Sequence, residues 1–173
     1  MEFIQAREEH INRIWEITGM AKRQLKNLGL DQWQTGYPSL EIWKQDVEEK
    51  MAYLAVEDGV ILGAFAYQIT PDISYGEIEK GKWLTDTPYA SMHRVIVADG
   101  CKGKGIAGKM FAYGFSMAER DGFASVRIDT HPGNLPMQRA LAKAGFVACG
   151  EIRLAAGPEK GHVRIGFEKV LGD

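Results

Sequence analysis

Several classes of function are excluded by what this sequence has little of. Cysteine is scarce: Cys101 and Cys149 are the only two, without metal-ligand spacing, so a thiolate metal centre is not expected and a reducing compartment is. Long apolar runs are missing, and no charged segment followed by an apolar one marks a leader, so a membrane span is not expected either. An excess of either charge is also lacking. Twenty-one Lys and Arg face 23 Asp and Glu, a net charge of -2, which gives no general attraction to nucleic acid or anionic lipid. No internal repeat or low-complexity tract is visible. These absences leave a soluble, cytoplasmic chain with neither nucleic acid nor membrane as partner, in which any anion site must be built locally.

What is present is enough for one core. With 173 residues and 45% hydrophobic composition, a single domain over 1–173 is expected. Glu2 to Ala6 starts as a short strand. Ile11, Ile14, Trp15, Thr18, Ala21, Leu25 and Leu28 then recur at helical spacing up to Gly29. After the loop "DQWQTGYP", Leu40, Trp43, Val47 and Met51 mark one face of a second helix. Asp58-Gly59 between two β-rich runs is the strongest hairpin signal. Residues Pro71 to Pro88 read as a long, polar, irregular connection of the kind that carries function. From residue 89 the pattern becomes strand, helix, strand, helix, ending in two strands expected to be antiparallel. Helices packed on a mixed sheet follow, an α/β (α+β) class with a right-handed crossover over residues 90–130.

The stretch "DGCKGKGIAGKM", Asp99 to Met110, satisfies two phosphate-binding patterns by spelling. Gly103, Gly105 and Gly108 form G-x-G-x-x-G, and Asp129 lies about 20 residues on, as a dinucleotide site requires. Against that reading, Ala98 to Lys102 intervene between the strand and the first glycine. A second βαβ half of roughly 75 residues is also needed, and only one helix and two strands follow Thr130. Gly103 to Lys109 form G-x-x-x-x-G-K, but Met110 stands where a hydroxyl must bind magnesium. The physics common to both patterns survives: glycines admit close approach, and N–H groups at a helix N-terminus hold a diphosphate without metal. Lys102, Lys104 and Lys109 add positive charge.

The order "MHRVIVA", "KGKGIA", helix, "VRIDTH", Asn134, helix, "KAGF" resembles the GNAT superfamily of N-acetyltransferases. Its signature is Gln/Arg-x-x-Gly-x-Gly/Ala, whose fixed positions fall here on Lys102, Gly105 and Ala107, with a conservative Lys in the first. The resemblance implies a largely antiparallel sheet with a splayed parallel central pair and helices on both faces. It also implies acetyl-CoA as co-substrate and no metal. The pyrophosphate would lie over the N–H groups of Gly103, Lys104, Gly105, Ile106, Ala107 and Gly108. The pantetheine would run along Val95, Ile96 and Val97 like an added strand, with Asn134 on the same arm. A backbone N–H near Val95 would polarise the acetyl carbonyl, an oxyanion effect worth about 3 to 4 kcal/mol. Lys109, Arg139 and Lys143 are candidates for the 3′-phosphate, but for Arg139 and Lys143 a solvated helix face is the favoured reading.

An alkylamine with a pKa near 10.4 is neutral in only about one molecule per thousand at pH 7, so the reaction needs a base or desolvation. The end of "RIDTH" offers Asp129 and His131, which alternation places on one side with Arg127. His93 and Arg94 are second candidates. Each has an ordinary alternative, since strand-end Asp residues cap turns and lone His residues pack. The tyrosine that many family members carry as general acid in the helix after Asn134 is missing, for Met137 to Leu141 hold none. An acceptor wall is expected from Gln32, Trp33, Gln34 and Tyr37, with Tyr75 and Tyr89 bordering it; Trp33 alternatively packs a helix corner. Glu77, Glu79 and Asp86 are candidates to attract a cationic amine or are solvated surface. An acyl-cysteine route is discounted, because neither Cys101 nor Cys149 has a sequence-adjacent base. The expected activity is acetyl transfer to a primary amine of a small molecule or peptide by direct attack, with a homodimer possible. The alternative is a non-catalytic acyl-CoA-binding or sensor module.

Overall fold

Two residues turn the chain between β2 (Ala52–Glu57) and β3 (Val60–Gln68), and both take left-handed backbone: Asp58 at φ 51° and Gly59 at φ 75°. This is the geometry of the tight hairpin expected there, and it fixes β2 against β3 in antiparallel register. The structure is a computed structural model describing residues 1–172. Its other strands are β1 (Glu2–Gln5), β4 (Tyr89–Val97), β5 (Ser125–Thr130), β6 (Val147–Arg153) and β7 (Val163–Val170). They form one seven-stranded sheet in the order β1-β2-β3-β4-β5-β7-β6. All neighbours are antiparallel except β4 and β5.

Helices cover both faces. On one side α3 (Ile106–Arg120) and α4 (Leu135–Lys143) bury Met110, Phe111, Met117 and Leu141 against Phe65, Met92, Val126 and Phe167. On the other, α1 (Ile11–Asn27) and α2 (Leu40–Glu48) bury Ile14, Ile17 and Trp43 against Leu54 and Ile96. Gly114 lets α3 lie directly on β4, since a Cβ there would stand 2.4 Å from the Met92 sulfur. Ser39 starts α2 by accepting from the Ile42 amide at 3.1 Å. No helix of the described residues is long and apolar enough to cross a membrane.

The departures from expectation are local. Trp15 is 38% exposed, with the Lys22 ammonium over its ring at 5.2 Å, so it lies off the buried stripe of α1. Leu28 is also exposed, and Met51 falls beyond the end of α2. The connection from Pro71 to Pro88 has little regular structure beyond a short turn at Ile73–Tyr75, yet it is bolted to the sheet. The buried Glu168 carboxylate accepts from the Leu84 amide at 2.6 Å and the Thr85 hydroxyl at 2.7 Å. Arg127 pairs with the same carboxylate at 3.1 Å and donates to the Thr85 carbonyl at 2.7 Å.

Two features of β4 position the site. Its parallel pairing with β5 covers only Tyr89 to Ser91, opposite Ser125 to Arg127, after which the strands part. Its pairing with β3 continues to Val97 but slips at a bulge, where Arg94 takes φ 52°.

Candidate active site

The parting of β4 from β5 leaves the backbone of Val95, Ile96 and Val97 without a strand partner on the β5 side. A cavity of about 1400 Å³ opens along it. At one end stands the glycine loop. Gly103 and Gly105 have φ of 74° and 75°, and Gly105 precedes α3 without any side-chain cap, so the amides of the first turn of α3 are left for another acceptor. The space a Cβ would fill at Gly103, Gly105 and Gly108 is empty, and all three line the cavity with Ile106 and Ala107. Bare N–H groups at a helix start beside the cavity fit a diphosphate. Lys102, Lys109, Arg139 and Lys143 line the same end, whereas Lys104 is exposed and does not line the cavity. Cys101 lines this end too; Cys149 is buried in β6. Asn134 begins α4, accepting from the Met137 amide at 3.2 Å, and its side-chain amide reaches Gln32 at 3.4 Å.

The opposite end is rich in carboxylates. Asp129 on β5 accepts from the Tyr75 hydroxyl at 2.7 Å. Burial pushes its carboxyl up to about 6; the Tyr75 hydrogen bond opposes that, and the Asp72 charge reinforces it. The Tyr75 ring stacks on His93 with centroids 5.9 Å apart. His93 lies 3.0 Å from the Ser91 hydroxyl and 3.5 Å from Asp72. Burial, with the nearby Arg94 charge, pushes the imidazole down to about 4, so it is neutral at pH 7.

Arg94, on its left-handed backbone, sends Nε and Nη2 to the two carboxylate oxygens of Asp46, both at 2.8 Å. Its Nη1 donates to the Tyr37 hydroxyl at 2.9 Å. Asp46 is a buried residue of α2, so this bidentate pair ties α2 to the bulge. A second buried pair, Arg164 to Glu159 at 3.0 Å, closes the wall; Glu159 also accepts from the amide of Trp33, whose φ is 63°. Thus two of the non-glycine residues with left-handed backbone line the cavity, each held by a buried carboxylate.

Of the residues singled out from the sequence, the cavity gathers Val95 to Val97, Lys102, Gly103, Gly105 to Lys109, Asn134, Asp129, His93, Gln32, Trp33 and Tyr37. Others stand elsewhere. His131 falls one residue past β5, where the chain turns; its ring bonds Asp31 at 2.8 Å and the Gly133 amide at 2.9 Å, off the cavity wall. Gln34 is exposed and folds back on the Lys22 and Gln32 carbonyls. Tyr89 packs under the Arg127 guanidinium at 4.0 Å and accepts from the Asp72 amide. Arg127 shares the face of Asp129 but is spent on Glu168. Glu77 and Asp86 do not reach the cavity, and Glu79 pairs with Arg153 at 3.5 Å. Asp46, Asp72, Glu159 and Arg164 were not singled out from the sequence. Asp46 and Arg94 are separated by 48 residues, and no local pattern joins them.

Residues 7–146 match the acetyltransferase (GNAT) family. Among solved structures, a GNAT-family acetyltransferase from Streptococcus agalactiae is similar with a TM-score of 0.87 at 28% identity, over 99% of this chain and 96% of that one. The ribosomal-protein-alanine N-acetyltransferase of Brucella melitensis gives 0.71 at 17% identity, over 99% and 100%. The yncA protein of Salmonella typhimurium, solved with its cofactor acetyl-CoA, gives 0.70 at 15% identity, over 100% and 95%. A comparison with curated protein sequences gives no significant match. The sheet order, the parallel β4–β5 pair and the helices on both faces are those of the fold expected from the resemblance.

Proposed function

The chain belongs to the GNAT acetyltransferase family, and from that premise we propose that it transfers the acetyl group of acetyl-CoA to a primary amine of a small molecule or peptide, by direct attack with both substrates bound. The observation that carries this reading is the continuity of one cavity: a side-chain-free helix start, an unpaired strand edge and a sunken carboxylate line it in that order. Gly103 to Gly108 and Lys102 hold the diphosphate. Val95 to Val97 complete their hydrogen bonding with the pantetheine amides, and Asn134 flanks that arm. Acetyl-CoA, when bound, supplies the thioester. The N–H near Val95 polarises its carbonyl.

Asp129 is the base. A carboxylate with a pKa of about 6 is mostly ionised at pH 7 and takes a proton far better than an ordinary aspartate. His93, being neutral, adds no positive charge. Asp46 and Glu159 are neutralised by Arg94 and Arg164, which leaves Asp72 and Asp129 as the uncompensated charges at this end. Such a wall draws in an ammonium ion, and neither guanidinium is free of a carboxylate partner for a carboxylate on the acceptor.

The test is release of CoA thiol from acetyl-CoA across polyamines, amino acids, aminoglycosides and peptide N-termini. Amines without a neighbouring carboxylate are expected to react faster than free amino acids. If acetyl-CoA raises the melting temperature and no amine speeds thiol release, the sensor reading replaces this one.

A further inference from the structure

Resting on that reading, we propose that the Tyr37 hydroxyl gives the proton to the departing thiolate, doing from the loop before α2 what no residue of α4 can do. The residues of α4 that line the cavity are Pro136, Met137, Arg139, Ala140 and Lys143, and none of these at its middle, Met137 to Ala140, releases a proton near neutral pH. Two other tyrosines stand close to the acceptor end, and both are occupied. Tyr75 spends its proton on Asp129 at 2.7 Å, and Tyr89 lies off the cavity beneath Arg127.

Tyr37 differs in its hydrogen bonding. Its oxygen accepts from Arg94 at 2.9 Å, while its own proton has no acceptor among the described residues and its ring lines the cavity. The donor to that oxygen is a fixed cation. Arg94 is clamped by two 2.8 Å bonds to buried Asp46, and it directly precedes Val95 on the edge of β4 that is unpaired with β5 beyond Ser91. A guanidinium on the phenolic oxygen stabilises the tyrosinate formed when the proton leaves. Burial keeps the hydroxyl protonated at neutral pH, so the proton is present when needed.

The bound ammonium first loses one proton to solvent; the neutral amine nitrogen then forms the C–N bond with the thioester carbon and gives a second proton to Asp129. The C–S bond breaks with its electron pair on sulfur, and sulfur takes the Tyr37 proton. Asp129 releases its proton to solvent and the tyrosinate regains one, leaving amide and free thiol.

Tyr37→Phe is expected to lower kcat by on the order of 10² or more while acetyl-CoA affinity stays within about twofold. The selenoester analogue of acetyl-CoA, whose selenol leaves as an anion unaided, is expected to erase most of that loss. A readout independent of turnover is the ultraviolet thiolate absorbance of bound CoA. With Arg94, Asp46 and Asp129 facing position 37 in both proteins, the thiol of the wild-type complex is expected to ionise at lower pH than in Tyr37→Phe. Equal loss with both esters, an unchanged kcat, or an unmoved thiol titration overturns the proposal. If the phenylalanine variant does not fold, a ring-fluorinated tyrosine at 37 carries the test. Its greater acidity must move the alkaline limb of kcat downward, and an unmoved limb overturns the assignment. Wild-type protein that turns over no amine sinks the acetyltransferase reading and this step together; a turning-over enzyme indifferent to position 37 sinks this step alone.

Discussion

At residue 129 burial and hydrogen bonding pull in opposite directions. Burial raises the carboxyl to about 6 and the Tyr75 hydroxyl restrains it. Tyr75→Phe is therefore expected to move the acid limb of kcat/KM upward from about 6, read from a pH–rate profile. A second consequence concerns stability. A carboxyl whose folded pKa lies above its unfolded value of about 3.9 favours the folded state at low pH, and this contribution is lost as pH rises from about 4 to about 6. Above that window the ionised group costs the fold up to about 3 kcal/mol. Asp129→Asn should then melt several degrees higher at pH 7.5 while losing activity by on the order of 10² or more. A variant that melts lower argues against a buried charge at 129. Asp129 was legible in the sequence because strand alternation carries it to the same face as Arg127. His131 was misplaced by the same argument, since alternation ends with β5 at Thr130 and the next residues turn.

Between elements, single buried carboxylates act as bolts. Glu168 on β7 holds Leu84, Thr85, Ser125 and Arg127, and these hydrogen bonds and the guanidinium outweigh burial to keep its carboxyl below the usual range. Its stabilisation is present above the ordinary glutamate pKa and lost as pH falls through the lower folded value. Glu168→Ala is expected to speed amide hydrogen exchange at Leu84 and Thr85 selectively, with α1 and α3 unaffected; uniform acceleration would mean that the bolt is global. Asp46→Ala leaves Arg94 without its partner and is expected to cost about 3 to 5 kcal/mol in denaturant unfolding. The hairpin, the helix starts and the glycine loop could be read in advance because their signals lie within a few residues. The bolts could not, for each joins side chains roughly 40 or more positions apart whose meeting depends on the completed sheet.

For the molecule as a whole, ligand and stability are linked through the open seam between β4 and β5. Acetyl-CoA binding only the folded state adds RT ln(1 + [L]/Kd), about 2.7 kcal/mol at a hundredfold excess over Kd. A melting temperature rising with the logarithm of acetyl-CoA concentration, and indifferent to NAD, is the expected result. The end of the cavity proposed for the acceptor is assembled differently from the end proposed for the cofactor. It draws on three separate loops, around Trp33, Ser74 and Pro158, while the cofactor edge is one continuous run of β4 followed by one turn. Two anchors hold the three: Glu159 of the Pro158 loop accepts from the Trp33 amide, and Asp72 accepts from the Ser74 amide. The two halves of the proposed chemistry are therefore separately heritable. On that reading, substitutions confined to the Ser74 and Pro158 loops would exchange one amine for another while donor use stays constant, so a lineage could change its acceptor repeatedly without relearning its donor.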